Sequence, residues 1–166
     1  MSNYFFDTSA VVKCYIVEPG TTWVRQLCNA QAPDTGEKLH LIFISEIAIV
    51  ESAAAFAILA RRGEISKRDS QDAYAKFVEA VEREYRIVDL TRPSVRAAAG
   101  LTQRHPLKSL DAIQLAIGLN TRDLLQANEL SLVFVTGDDQ LLQAAQAEGL
   151  ATENPFDHAD LDTAEK

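Results

Sequence analysis

Leu132-Val133-Phe134-Val135-Thr136-Gly137-Asp138 is the stretch on which the fold turns. Leu132 to Val135 is a continuous apolar, β-favouring run, the most strand-like in the chain. Gly137 then turns the chain into a helical pattern from Asp139 to Ala147, which Gly149 ends. The same grammar opens the sequence. Tyr4-Phe5-Phe6 suits a buried strand, Asp7 closes it, and a helix is predicted from Thr8 to Val17, stopped by Pro19-Gly20.

Between these two units the alternation continues. A second helix is expected from Thr21 to Ala30 and a polar loop from Gln31 to Lys38. His40 to Ile44 reads as strand two, with Ser45 capping a long helix to Arg62 that Gly63 ends. Ser66 to Tyr85 is amphipathic, with Ala73, Phe77, Ala80, Val81 and Tyr85 near one face. Arg86 to Leu90 is strand three, Pro93 suits the first turn of the next helix, and Pro106 breaks it. Ser109 is placed to cap a helix through Leu125. The tail from Asn154 is acidic and expected to fray. Strands that alternate with helices predict an α/β fold: three layers, α/β/α, around a four- or five-stranded, mainly parallel sheet. The expected organisation is one domain over residues 1–154 and an acidic tail over 155–166.

Composition is that of an ordinary soluble globule, and no apolar run approaches a membrane span. Met1-Ser2-Asn3 leads into no signal-peptide pattern, and Cys14 and Cys28 read as reduced packing residues, so a cytoplasmic protein is expected. The net charge of −8 is uneven. Residues 61–108 hold 11 of the 16 Lys and Arg but 7 of the 24 Asp and Glu, a local +4 in a chain otherwise at −12. A phosphate backbone has somewhere to approach, with Arg61, Arg62, Lys67, Arg68 and Arg104 as candidates.

Four acids stand in apolar company. Asp7 and Asp138 follow strands and belong at the carboxyl edge of the sheet, where parallel α/β folds gather their ligands. From Ile47 to Ala60 only Glu51 and Ser52 are polar, and a helical wheel puts Glu51 between Ile47, Ala54 and Ile58. From Leu110 to Leu119 only Asp111 and Gln114 carry polar side chains. Singly, Asp7 and Asp138 read equally well as N-caps, Asp111 as a helix-dipole partner and Glu51 as the partner of a buried arginine. Together they can reach one edge of one sheet, and the means of holding clustered carboxylates is a hard divalent cation, Mg²⁺ or Mn²⁺.

Phe6-Asp7-Thr8-Ser9-Ala10, Ser45-Glu46-Ile47-Ala48-Ile49-Val50-Glu51, Leu110-Asp111-Ala112-Ile113-Gln114-Leu115-Ala116 and Val135-Thr136-Gly137-Asp138 occur in this order. The set resembles the four signature segments of the PIN-domain family, in particular its bacterial VapC-type toxins, from Asn3 to about Asn154. The resemblance implies a Mg²⁺- or Mn²⁺-dependent endoribonuclease, usually dimeric and restrained by a VapB-type antitoxin. It implies metal binding by Asp7, Glu51, Asp111 and Asp138. Thr8 and Thr136 match hydroxyl positions beside the metal, and Asp139 competes with Asp138 for the fourth place.

Such residues suit metal-assisted, in-line attack of water on a phosphodiester, with Asp111 a candidate to take the proton. His40, His105 and His158 form no catalytic triad pattern, and no phosphate loop or dinucleotide fingerprint is present. Two other readings compete: a non-catalytic protein that binds RNA or a partner, and a phosphoacceptor signalling module. For an antitoxin helix, the expected surface is an apolar groove on the early helices, through Val11, Val12, Tyr15, Ile16, Trp23, Val24 and Leu27.

Overall fold

A computed structural model describes residues 2–163. Five strands, β1 (Ser2–Phe6), β2 (His40–Ser45), β3 (Arg86–Val88), β4 (Val133–Val135) and β5 (Ala151–Glu153), form one sheet in the order β3-β2-β1-β4-β5. Every pairing is parallel. Seven α-helices connect them: α1 (Thr8–Tyr15), α2 (Thr21–Asn29), α3 (Glu46–Arg61), α4 (Lys67–Arg83), α5 (Arg92–Arg104), α6 (Ser109–Gln126) and α7 (Asp139–Ala147). The last helix coincides with its sequence prediction, and most other boundaries move by one to three residues. Ser109 is the first residue of α6 rather than its cap, which falls on Lys108 without a side-chain bond.

The period of two in the strands sorts the core. Phe6 pairs with Ile44 and Val135 in register, and all three face α1 to α4. Their neighbours Phe5 and Phe134 face α6 and α7 on the other side, stacked with centroids 5.3 Å apart. Both sheet faces are therefore covered, which is why these strands are apolar throughout rather than alternating. On the second face α6 comes very close to the sheet: a Cβ placed on Gly118 would lie 2.7 Å from the Phe134 ring.

Three expectations are corrected. The apolar residues of α1 and α2 share no open groove: Val11, Val12, Ile16 and Val24 are buried, Tyr15, Trp23 and Leu27 pack against them, and only Val12 of the set borders a groove, with α3. Both helices spend their apolar groups covering the sheet. The stripe Ile47, Ala54, Ile58 is not the core face of α3. Ala48, Ser52 and Phe56 are buried instead, and Val50 and Ile58 are exposed. An all-round apolar helix does not reveal from its wheel which side faces inward.

Residues 155–163 of the tail, finally, do not fray; residues 164–166 lie outside the described part. The chain forms β5 and then 3-10 turns over Pro155–Thr163 that pack on α2. Asp162 accepts hydrogen bonds from the Gly20 and Thr22 amides at 2.6 and 2.9 Å, capping α2 from outside. His158 stacks on Trp23 at 4.2 Å, and Gly20, at φ +87°, lies where any side chain would strike Pro155. These contacts join residues about 140 apart, so no local pattern announces them.

Gly118→Ala should destabilise the protein by about 1–3 kcal/mol, since the methyl group enters a packed ring. Phe134→Leu in the same chain should recover part of the loss. Urea unfolding of the single and double variants measures both.

Candidate active site

The strand order reverses direction between β1 and β4, because the chain builds β2 and β3 outward from one side of β1 and then crosses to the other. Diverging loops leave a crevice at the carboxyl ends of such a pair. Asp7 follows β1 and Thr136-Gly137-Asp138 follows β4, so both signature segments open into that crevice.

Asp7 is the most constrained residue there. Its Oδ1 accepts from the Ser9 hydroxyl at 2.6 Å and the Ala10 amide at 3.0 Å, and its Oδ2 accepts from the Thr136 hydroxyl at 2.8 Å. Ser9 in turn accepts from the Gly137 amide at 2.8 Å, and Thr136 from the Asp138 amide at 3.1 Å. Asp138 accepts from the Leu141 amide at 2.9 Å. Asp7 and Asp138 are thus N-caps of α1 and α7, as their sequence context allowed. Capping does not remove them from the crevice; it fixes where their carboxylates sit.

Glu51 is half-buried and has no arginine partner. Its Oε2 accepts from the Thr8 hydroxyl at 2.9 Å and from the Gln114 amide at 2.7 Å. Gln114 also donates to Thr8 at 3.1 Å, and its carbonyl accepts from the Ser45 hydroxyl at 2.7 Å. Ser45, the cap of α3, therefore fixes which end of the Gln114 amide faces Glu51. Sequence reasoning singled out Thr8 and Thr136 but not Ser9, Ser45 or Gln114. The available signal was Gln114, one helical turn beyond Asp111 and the other polar side chain in that apolar stretch.

Electrostatics ties the four acids together. Burial pushes the Asp7 carboxyl up to about 6 despite its three hydrogen bonds, and the charge of Asp111 adds to the rise. Asp111, in the first turn of α6, is also raised, by burial first and then by Asp138 and Glu51, with Lys108 opposing. Asp138 and Asp139 are both exposed, and it is the charge of Asp138 that reaches Asp111. Among the described residues no Lys, Arg or His pairs with any of the four.

A hard divalent cation fits this donor set, which offers carboxylate oxygens and no neutralising base. Among the described residues no three acidic, His or Cys side chains close around a common point. An ion held through one or two of these carboxylates would keep several waters, as Mg²⁺ commonly does. Of the basic candidates, Arg62 lines a groove beside Thr8 and Asp138, and Arg61 and Lys67 line a shallower depression. Arg104 is turned to Glu148, at 3.0 Å, at the far end of α5.

In metal-free protein the Asp7 titration sets a pH dependence. Its folded value of about 6 lies above the unfolded 3.8, so its contribution is full below pH 4 and lost as the pH rises through about 6. Between pH 4.5 and 7.5 the parent should lose stability relative to Asp7→Asn by on the order of 2 kcal/mol. Asparagine keeps the cap to Ala10 without the charge. Urea unfolding in EDTA at pH 4.5 and 7.5 checks the difference; parallel profiles would contradict it.

Comparison with known proteins agrees with the fold. The PIN domain family profile matches residues 4–147. A search of the curated proteins finds no match. Among solved structures, VapBC2 from Rickettsia felis, bound to a DNA fragment from its promoter, aligns at TM-score 0.57 and 15% identity, covering 92% of this chain and 98% of that one. A Pyrobaculum aerophilum protein aligns at TM-score 0.57 and 15% identity, over 98% and 90% of the two chains. A toxin–antitoxin complex from Klebsiella pneumoniae gives 0.55 and 18%, over 92% and 98%. At such identities the structures speak for the fold, whereas the family match spans most of the sequence: the chain belongs to the PIN-domain family.

Proposed function

We propose that this protein is a Mg²⁺- or Mn²⁺-dependent endoribonuclease, the toxin of a toxin–antitoxin pair, with Asp7, Glu51, Asp111 and Asp138 as its metal-binding and catalytic residues. The reading rests on four carboxylates near the sheet's reversal point whose charges act on one another through Asp111, one of them buried, with no Lys, Arg or His paired to any of them among the described residues. Evolution of a purely structural crevice has no reason to keep mutually repelling acids there; a cation and a phosphodiester supply one.

Each residue has a part in this mechanism. A bound cation supplies Lewis acidity toward a phosphodiester oxygen and a lowered pKa for water. Asp7, held from three sides, offers a carboxylate that cannot swing away. Thr8 and Gln114 orient Glu51 by donating to its Oε2. Asp111, whose carboxyl is raised by burial and then by its neighbours, would take the proton from the attacking water. The Ser9 and Thr136 hydroxyls hold the two strand ends in register and leave no protein nucleophile in the sequence of events.

The antitoxin partner and a homodimer belong to the same proposal, on the strength of fold neighbours that are toxin–antitoxin assemblies. So does a cytoplasmic setting; no described helix is long and apolar enough to cross a membrane. A phosphoacceptor module is the weaker reading. Such domains follow the strand order 2-1-3-4-5, with the reversal in a different place from the order here.

Mn²⁺ at a hundredfold excess over its Kd should stabilise the parent by about 2.7 kcal/mol. Asp7→Asn and Asp111→Asn should show a much smaller shift and lose cleavage of total RNA that the parent performs with Mn²⁺ or Mg²⁺ and loses in EDTA. Melting curves with and without Mn²⁺, beside the cleavage assay, measure both. Equal metal-induced shifts in all three proteins would remove the metal site, and with it the nuclease. A metal shift without cleavage would leave the non-catalytic binding protein.

A further inference from the structure

The 3-10 turns after β5 bring one aromatic side chain to the crevice. Phe156 is 47% exposed, and its ring borders Gly137, where a Cβ would stand 3.0 Å from it. It closes one end of a groove of about 550 Å³ that shares Thr8, Gly137 and Asp138 with the carboxylate cluster. Val12, Ile58 and Leu59 give the groove apolar walls, and Arg62 stands in it with a largely exposed side chain. Thr8, Ser9, Lys13, Glu18 and Asp138 line it as well, and its volume is that of a small-molecule-sized subsite.

The ring is prepared on one side only. Lys13 is 1% exposed, and its ammonium sits over the Phe156 ring, 4.1 Å from the centroid, while pairing with Glu18 at 2.9 Å. Since the lysine is buried and the ring is not, the cation covers the inner face and the accessible area belongs to the outer one. A cation beneath an aromatic ring draws π density toward itself. The outer face is then suited to an electron-rich flat partner, and Glu18 cancels the lysine's charge so that the groove does not simply attract anions. Arg62 supplies the phosphate attraction instead, at the side of the groove.

We propose that Phe156 and this groove form a nucleobase subsite: an unpaired base of single-stranded RNA, next to the phosphodiester at the carboxylates, stacks on the outer face of Phe156 while Arg62 contacts a flanking phosphate. The inference rests on the ribonuclease reading above, and what it adds is the position at which a base is held, on the Phe156 ring. The occupant follows from the continuity of the groove with the acids, the polar rim shared with them and the one-sided ring.

The test uses the full chain with Mn²⁺ and single-stranded oligoribonucleotides bearing 2-aminopurine at each position around the cleaved bond. In the parent, one position should be quenched on binding. Phe156→Ala and Phe156→Leu should abolish that quench and raise KM about tenfold, with a far smaller effect on kcat; Phe156→Trp should restore both. Leucine keeps the apolar volume without the π face, and unchanged melting temperatures establish that the 3-10 turns remain docked. If the parent neither binds nor cleaves RNA, the ribonuclease reading and the subsite fall together. If the parent cleaves and Phe156→Leu cleaves the same bonds with the same KM, only the subsite is overturned. Loss of binding to a co-expressed antitoxin with RNA kinetics unchanged would likewise overturn it and give the groove to a protein partner.

Discussion

A buried carboxylate with nothing positive beside it is the constraint on which this structure depends. Asp7 is enclosed at the end of the central strand, and taking its charge out of water is costly unless hydrogen bonds compensate. The three it receives come from its own helix and from the far side of the crevice, through Ser9, Ala10 and Thr136. Satisfying one carboxylate therefore locks β1, α1 and the turn after β4 into one arrangement. The pairing of Ser9 with the Gly137 amide completes the clasp.

A second network does the same across the other side of the crevice. Ser45 orients Gln114, which orients Glu51, with Thr8 as the common neighbour. It joins the cap of α3, the inner face of α6 and the first turn of α1, three elements on opposite faces of the sheet. Buried polar networks of this kind are costly if any member is missing and specific if all are present. Here the acids act on one another pairwise through Asp111, whose carboxyl is raised by burial and then by the charges of Asp138 and Glu51.

The tail adds a different kind of dependence. Asp162, His158, Phe156 and Pro155 attach the last described residues to α1 and α2 near their junction at Gly20. A segment that composition marks as a solvated acidic tail is thus part of the wall around the crevice. Asp162, one of its acids, accepts from two backbone amides at the start of α2.

By itself the sequence determined the layers, the parallel sheet and the location of the acids. These follow from local and periodic properties: apolar runs of strand length, caps, prolines and glycines at turns, and acids standing alone among apolar residues. Asp7, Glu51, Asp111 and Asp138 were legible because an acid is conspicuous in such company, and Thr8 and Thr136 because they adjoin two of them. Which face of α3 turns inward, where the apolar groups of α1 and α2 are spent, that Gln114 rather than a base holds Glu51, and that Phe156 stands beside Asp138 were decided only by the tertiary structure. Each depends on which distant surface arrives opposite a given side chain. A helical wheel or a composition window carries no information about that, because packing and hydrogen-bond satisfaction are settled between elements scores of residues apart.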